Sequence, residues 1–244
     1  MSPAPTRRLD HIVIAIRDLD QGIARYRELG FDARPGGRHT GRGTHNAIVR
    51  FGLDYLELVS VYDEAEARAA GRGELVDFLA TREGPTGYVL ATDDIAAEAE
   101  RIRDGGLSVV GPFAMERLRP DGSRLTWRLV IPGDGADRRP WPIFIQWDQS
   151  DAERLARDGA TAHPNGARGI RSVTVGVRDL PAARHLYGAV FGLAPAGADA
   201  FRAGNATIEL VPASDDGLVA IALTGTTDRE LDAALAGGSI RLER

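Results

Sequence analysis

Residues 9–20 read LDHIVIAIRDLD, and the same pattern returns at residues 170–181 as IRSVTVGVRDLP. Each copy is a β-branched run that ends in Arg-Asp-Leu, where the aspartate can cap a following helix. Each copy is also followed by a later strand with a central glutamate, Glu57 in YLELV and Glu209 in TIELV. The repeat predicts stacked copies of one supersecondary unit. One change stands out, because His11 of the first copy is replaced by Ser172.

The first copy has the pattern of a βαβββ module. Its helix is predicted from about Gln21 to Leu29, and two of its strands are predicted at Asn46–Phe51 and Tyr55–Ser60. Residues 33–44 are rich in Gly, Arg and Thr, which is typical of a mobile or ligand-facing loop. The remaining strand of the module is therefore expected to lie within residues 33–44.

Two weaker copies complete the set. One begins at Thr86 and ends with a strand at 143–147. When it is aligned with the first copy on a shared aspartate, Thr86 takes the position of His11 and Gln146 that of Glu57. A truncated fourth copy is predicted from Leu218, with a helix from about Asp228 to Leu235 and a last strand at 239–243.

These copies predict an α+β fold of paired βαβββ modules. Residues 1–148 form the working domain, residues 149–169 form a linker that contains His163, and residues 170–244 form a degenerate, truncated accessory pair. A chain of 244 residues is long enough for two such units.

The composition excludes several classes of protein. The formal net charge of −5 and the lack of a basic stripe argue against a nucleic-acid partner. The sequence shows neither a signal core nor an apolar run long enough to cross a bilayer, so a soluble, cytoplasmic protein is expected. Cysteine is absent, which excludes disulfides and thiolate sites.

His11 and Glu57 are the first candidates for a site. An imidazole and a carboxylate on two strands of a curved sheet suit Fe(II), Mn(II), Ni(II) or Zn(II). A histidine before an apolar strand can equally be a core residue bonded to a backbone carbonyl, so both interpretations of His11 stay open. Because Leu56 and Leu58 are expected to face the helices, Glu57 is expected to face the concave side.

The ordered motifs resemble a known superfamily. They are LDHIV at 9–13, GTHNA at 43–47, YLEL at 55–58, PIFIQW at 142–147 and His163-Pro164. Together they resemble the vicinal oxygen chelate superfamily, which includes glyoxalase I, bleomycin resistance proteins and extradiol dioxygenases, and most of all its glyoxalase-like domain branch. The resemblance implies a cupped, half-open barrel with a divalent metal or a metal-free small ligand in its concave face.

The resemblance also implies site residues. Relatives usually take metal ligands from both modules, so the implied ligands are His11, Glu57 and, through its amide oxygen, Gln146. Glu57 is the candidate catalytic group, since a carboxylate ligand could leave the metal to move a proton. Side chains that share a face with these residues or lie in nearby turns are candidates for the substrate pocket: Tyr55, His45, Asn46, Thr86, Phe144 and Arg50.

Several of these polar residues have a simpler interpretation. Asn46 is explained by local bonding in its turn, a ligand role for His45 is the weaker alternative, and Arg50 suits the rim of a sheet. His39 is either solvated or placed to meet an anionic substrate. His163 is better explained as part of the linker than as a ligand.

Two main functions follow as hypotheses. The first is a metal-dependent isomerase, lyase or dioxygenase that acts on a small oxygenated molecule. The second is a metal-free protein that binds or sequesters a small molecule, which the missing ligands at Thr86 and Ser172 favour. A third is an assembly module, and the architecture alone cannot choose among them. The expected oligomeric state is a monomer or a homodimer.

Overall fold

The fold is built from two β-sheets with six short helices around them. A computed structural model describes residues 7–133, 140–159, 162–226, 228–231 and 239–244. No helix in this part of the chain is long and apolar enough to cross a membrane.

The first module is a βαβββ unit, as predicted. Its elements are β1 (Arg7–Ala15), α1 (Leu19–Glu28), β2 (Ala33–His39), β3 (Thr44–Arg50) and β4 (Tyr55–Val61). Asp18 caps α1, since its side chain accepts a hydrogen bond from the backbone N–H of Gln21. Two connector helices follow, α2 (Glu64–Ala69) and α3 (Gly73–Thr81).

The second module repeats the unit. Its elements are β5 (Gly84–Thr92), α4 (Ile95–Asp104), β6 (Val109–Leu118), β7 (Arg124–Pro132) and β8 (Ile143–Trp147). The two modules form one closed barrel with the strand order β1-β4-β3-β2-β6-β7-β8-β5. The predicted fold of paired modules is confirmed, and the sheet closes completely where the sequence predicted a half-open cup.

Strand β2 lies where the sequence predicted a loop. It pairs with β6 through His39 and Arg117, which closes the barrel on that side. Gly37 adopts a φ of +132°, and a Cβ atom there would lie 2.0 Å from the carbonyl oxygen of Leu118. Only glycine lets the two strands approach so closely. The glycines that indicated a loop are therefore needed for the strand contact.

The second sheet contains seven strands in the order β10-β11-β12-β9-β13-β15-β14. Its elements are β9 (Gly169–Val177), α6 (Leu180–His185), β10 (Pro195–Gly197), β11 (Ala200–Ala203), β12 (Ala206–Pro212), β13 (Gly217–Thr224), β14 (Arg229–Leu231) and β15 (Ser239–Glu243). A π-helical turn at Leu186–Val190 continues α6.

The last copy differs from its prediction. Residues 229–231 form strand β14 and not the start of a helix, and this strand pairs with β15. The rest of the predicted helix, residues 232–235, lies outside the described residues.

The barrel and the second sheet share one hydrophobic core. Phe144 of β8 packs against Phe191 with ring centroids 5.7 Å apart, and the hydroxyl groups of Tyr88 and Tyr187 contact each other. All four side chains are buried. The outer face of β5 and β8 is thus covered by the π-helical turn at Leu186–Val190 and by Phe191, which follows it.

The predicted linker contains a helix, α5 (Asp151–Asp158). Beyond it, His163 is buried against the first module: its Nδ1 accepts from the backbone N–H of Asp32, and its Nε2 lies 3.1 Å from the carbonyl oxygen of Arg50. His163 therefore has a structural role.

Candidate functional site

A cavity of about 350 Å³ lies inside the barrel. This is at the small end of the range for ligand pockets. Most of its wall is apolar and is formed by Val13, Val59, Val89, Val110, Phe113, Met115, Trp127, Leu129, Ile131, Ile143, Ile145 and Trp147. The rest is polar, so the cavity suits a small molecule with one polar end.

The strand order places the polar groups in one row. Reading from β1 through β4, β3 and β2 to β6, the wall carries His11, Glu57, Thr44, His39 and Arg117. All five are buried. The first and last of them in sequence, His11 and Arg117, are more than 100 residues apart. The five residues are therefore neighbours only because the strands pair in the closed barrel.

Glu57 lies at the centre of this row. Its Oε2 is 3.5 Å from Nε2 of His11, and its Oε1 is 3.5 Å from Nε2 of His39. The side-chain amide of Asn46 donates to the same Oε1 at 2.5 Å. Burial raises the pKa of Glu57, but the hydrogen bonds to His11 and His39 outweigh it and hold that pKa well below its ordinary value. Glu57 is therefore a carboxylate at neutral pH.

His11 is held on both sides by carboxylates. Its Nδ1 lies 2.8 Å from Oδ1 of Asp10, and its ring stacks on Tyr55 with centroids 4.6 Å apart. Burial lowers the pKa of His11, but the hydrogen bonds to Asp10 and Glu57 raise it above its ordinary value. The ring is therefore suited to donate hydrogen bonds from both nitrogens.

His39 has the opposite character. Its Nδ1 lies 2.9 Å from Oγ1 of Thr44, and burial lowers the pKa of the ring even though Glu57 partly opposes this effect. A neutral imidazole can accept a proton. The pKa values of the two histidines on either side of one carboxylate are thus shifted in opposite directions, a pattern that accompanies acid and base roles.

The sequence analysis did not include His39 among the main site residues. The available signal was a hairpin, since His39 and Thr44 pair across a short turn in which Gly41 and Gly43 have positive φ values. The glycine-rich composition of residues 33–44 masked that signal.

Gln146 does not face the cavity, which corrects its predicted position. Its Oε1 accepts from the backbone N–H of Ile95 at 3.0 Å, and its Nε2 donates to the carbonyl oxygen of Asp93 at 2.8 Å. Gln146 therefore binds the N-terminus of α4 on the outside of the barrel. Phe144, on the same face of β8, lies in the core between the two sheets.

A one-residue shift explains the misplacement of Thr86. The sequence alignment used Asp93, but the residue that caps α4 is Asp94. Aligned on the caps, Gly87 and not Thr86 corresponds to His11, and the hydroxyl of Thr86 lies 3.4 Å from the carbonyl oxygen of Val13. Because side chains alternate along a strand, a shift of one residue exchanges the two faces.

The remaining candidates divide between the cavity and its surroundings. Tyr55 lines the cavity, and the side-chain amide of Asn46 donates a hydrogen bond to Glu57. His45 instead packs edge-on against Tyr62, with centroids 5.6 Å apart. Arg50 lies over the Tyr55 ring, 4.8 Å from its centroid, and lines a separate pocket.

The residues present do not fit the two-module metal site that the resemblance implies. From β5 and β8 the cavity receives Val89, Ile143, Ile145 and Trp147, which carry no metal ligand. Within the described ranges no group of three or more His, Cys, Asp and Glu side chains is arranged to hold a metal ion. The oxygens of Glu57 contact Asn46 and face the two imidazoles.

Replacing Gln146 with alanine is expected to lower the free energy of unfolding by about 1 kcal/mol, because α4 loses a group that caps its N-terminus. Chemical denaturation measures this change. Binding in the cavity is expected to stay the same, since the side chain lies outside the barrel. Unchanged stability with lost binding would instead place Gln146 in the ligand site.

Comparison with known proteins identifies the family. Residues 9–191 match the family model described as a glyoxalase-like domain. No curated protein matches the sequence. The family model covers most of the chain, from the first module into the third.

Three solved structures resemble the chain. A hypothetical protein from Staphylococcus aureus has a TM-score of 0.78 at 19% identity and covers 97% of this chain and 99% of its own. A xylose isomerase-like TIM barrel/4-hydroxyphenylpyruvate dioxygenase fusion protein has a TM-score of 0.56 at 15% identity, over 91% of this chain and 37% of its own. At these identities the likeness shows the fold alone.

The third structure is less similar. It is a variant of Streptomyces coelicolor methylmalonyl-CoA epimerase in complex with 2-nitronate-propionyl-CoA, with a TM-score of 0.42 at 23% identity over 60% of this chain and 100% of its own. A TM-score this low does not inform on the function of the chain.

Proposed function

The chain belongs to the glyoxalase-like domain family, and from that premise we propose that its barrel binds a small oxygenated molecule and moves a proton on it, as an isomerase or lyase does. The observation that carries the proposal is the position of the Glu57 carboxylate between Nε2 of His11 and Nε2 of His39, at the polar end of an otherwise apolar cavity.

Each side chain has a distinct role in this proposal. His39 takes the proton from a carbon next to a carbonyl group, and the Nε2–H group of His11 stabilises the negative charge that develops on the carbonyl oxygen. Returning a proton to the opposite face of the same carbon completes an isomerisation without a further reactant. Glu57, whose low pKa makes it a weak base, orients the two rings.

The apolar wall supports this chemistry. Water-poor surroundings strengthen the attraction between an imidazolium and a developing oxyanion. The proposed step uses only groups of this chain and is therefore expected to proceed without added metal.

The test is deuterium exchange followed by NMR. Two enolisable 2-oxo acids, 2-oxobutyrate and phenylpyruvate, are incubated in D₂O with protein that has been treated with a chelator. The wild type is expected to accelerate exchange at carbon 3, and His39→Gln to reduce that rate by a factor on the order of 100. His45→Gln is the matched control, since His45 packs against Tyr62 outside the cavity.

Three outcomes contradict the proposal. They are no acceleration with either acid, full activity of His39→Gln, and acceleration that appears only after Fe, Mn, Ni or Zn is added. The last result favours a metal-dependent enzyme.

Sequestration of a small molecule is a second candidate. It is favoured by the second module, whose strands β5 and β8 contribute only apolar side chains to the cavity. Tight binding of an apolar probe without exchange, and without any effect of His39→Gln on that binding, would support this function.

A further inference from the structure

We propose that the ligand of the barrel cavity carries a carboxylate group and that Arg117 binds it. This inference rests on the proposed function only in taking the cavity as the ligand site. It adds the chemical class of the ligand, an apolar carboxylate, and a residue that determines specificity.

Arg117 is buried without a matching acceptor. It is 2% exposed, and its Nε makes no hydrogen bond to any described residue. Burial lowers the pKa of Arg117, and the negative charge of Glu57 partly opposes this effect. A buried charged group with a donor that lacks an acceptor is costly. Groups of this kind in native structures call for an explanation, and a bound ligand supplies one.

The charged residues around the cavity also favour an anionic ligand. The described lining residues of the cavity include Arg42 and Arg117 against a single carboxylate, Glu57. That carboxylate already contacts Asn46 and faces two imidazoles. Positive charge therefore exceeds negative charge on the wall, which favours an anionic ligand.

The position of Arg117 determines the orientation of such a ligand in the cavity. Arg117 pairs with His39 across β2 and β6, so an anion on the guanidinium sits beside the proposed base. A guanidinium binds a carboxylate through two parallel hydrogen bonds. The apolar wall, including Phe113, Met115 and Trp127, then covers the body of the ligand.

A carboxylate fits better than a phosphate. The Glu57 carboxylate lies near enough to act on the charge of Arg117. A dianionic phosphate would be repelled more strongly by Glu57 than a singly charged carboxylate. The small volume of the cavity also favours a compact acid.

The test compares an acid with its neutral amide by calorimetric titration. The probes are 3-phenylpropanoate and 3-phenylpropanamide, which share a shape and differ in charge. The wild type is expected to bind the acid at least about 10-fold more tightly, and Arg117→Met to lose that preference. Arg117→Lys is expected to restore part of it, since it keeps the charge but not the planar fork.

A control separates the cavity from the barrel surface. Arg117 also reaches the wall of the outer pocket that Arg157 lines. Arg157→Gln removes an exposed positive charge from that pocket alone and is expected to leave both affinities unchanged. The melting temperature of ligand-free Arg117→Met is expected to equal or exceed that of the wild type, because a buried charged group with a donor that lacks an acceptor is removed. This measurement also shows that the variant is folded.

Several results would overturn the proposal. They are equal affinity for acid and amide, no binding of either probe, a preference that survives in Arg117→Met, a preference that depends on Arg157, and tighter binding of phenyl phosphate than of the acid. Failure of the proposed proton transfer is distinguishable, because His39→Gln is expected to keep the preference for the acid while it loses deuterium exchange.

Discussion

Replacing Asp10 with asparagine is expected to destabilise the folded chain by about 3–5 kcal/mol. The carboxylate of Asp10 is fully buried beside the site. It accepts hydrogen bonds from Nδ1 of His11 at 2.8 Å, Nη1 of Arg8 at 3.0 Å, Nε1 of Trp147 at 3.0 Å and Nη1 of Arg154 at 3.3 Å. One carboxylate thus links β1 to β8 and α5.

Asparagine keeps the shape of Asp10 but removes its charge. The guanidinium of Arg154, whose side chain is 2% exposed, would then lie buried, and its remaining anionic neighbour among the described residues would be the half-exposed Asp151. An amide NH₂ group would also face donors where an acceptor is required. Urea denaturation of Asp10→Asn measures the loss.

The matched control is Asp151→Asn. Asp151 bonds to the same two arginines, with distances of 2.7 Å to Nη2 of Arg8 and 3.5 Å to Nη1 of Arg154, but its side chain is 50% exposed. Solvent screens an exposed pair, so this variant is expected to lose about 1 kcal/mol or less. Equal losses for the two variants would contradict the importance of burial.

The difference between wild type and Asp10→Asn is expected to depend on pH. Burial raises the pKa of Asp10, but Arg154, His11 and Arg8 lower it more, so that it lies far below its ordinary value. A depressed pKa contributes stability above the unfolded-state value of about 3.9 and loses it as the pH falls towards the folded-state value. The difference should therefore narrow below about pH 4, and a constant difference would be evidence against this carboxylate as its source.

Tyr187→Ala is expected to cost about 3–5 kcal/mol, the range for removing a large buried aromatic side chain. Tyr187 is fully buried in the π-helical turn that covers β5 and β8. Its ring centroid is 5.7 Å from that of Phe191 and 5.4 Å from that of Phe201. Its hydroxyl donates to the carbonyl oxygen of Pro140 at 2.6 Å and contacts Tyr88 of β5.

Tyr187→Phe separates packing from hydrogen bonding. It keeps the ring and removes the hydroxyl, so a loss of about 1 kcal/mol is expected. Thermal and chemical unfolding of both variants measure the effect. A single transition that shifts in both would indicate that residues 170–244 unfold together with the barrel, whereas two separate transitions would support the predicted accessory unit.

The module pattern was predictable because its signals are local. The β-branched run of β1 and the cap Asp18 lie within about ten residues of each other, and the structure confirms both. Glu57 was also placed correctly, since Leu56 and Leu58 are buried on the opposite face of β4 and Glu57 lines the cavity. Alternation along one strand is enough to decide such a position.

The second module shows where local signals end. Two adjacent aspartates, Asp93 and Asp94, both suit a helix cap, and the choice between them decides whether Thr86 or Gly87 corresponds to His11. Nothing in the spacing of the residues distinguishes the two registers. On β8, the packing of Phe144 against Phe191 turns Phe144 and Gln146 away from the cavity.

Repetition, capping and alternation within the sequence were sufficient to establish a chain of βαβββ modules and to identify His11 and Glu57 as a pair of candidate residues. The tertiary structure alone decided which other groups join them. His39 and Arg117 become neighbours through the pairing of β2 with β6, which depends on the fit of Gly37 against Leu118. A contact between strands so distant in sequence is set by barrel closure and register, and neither is encoded in a local pattern.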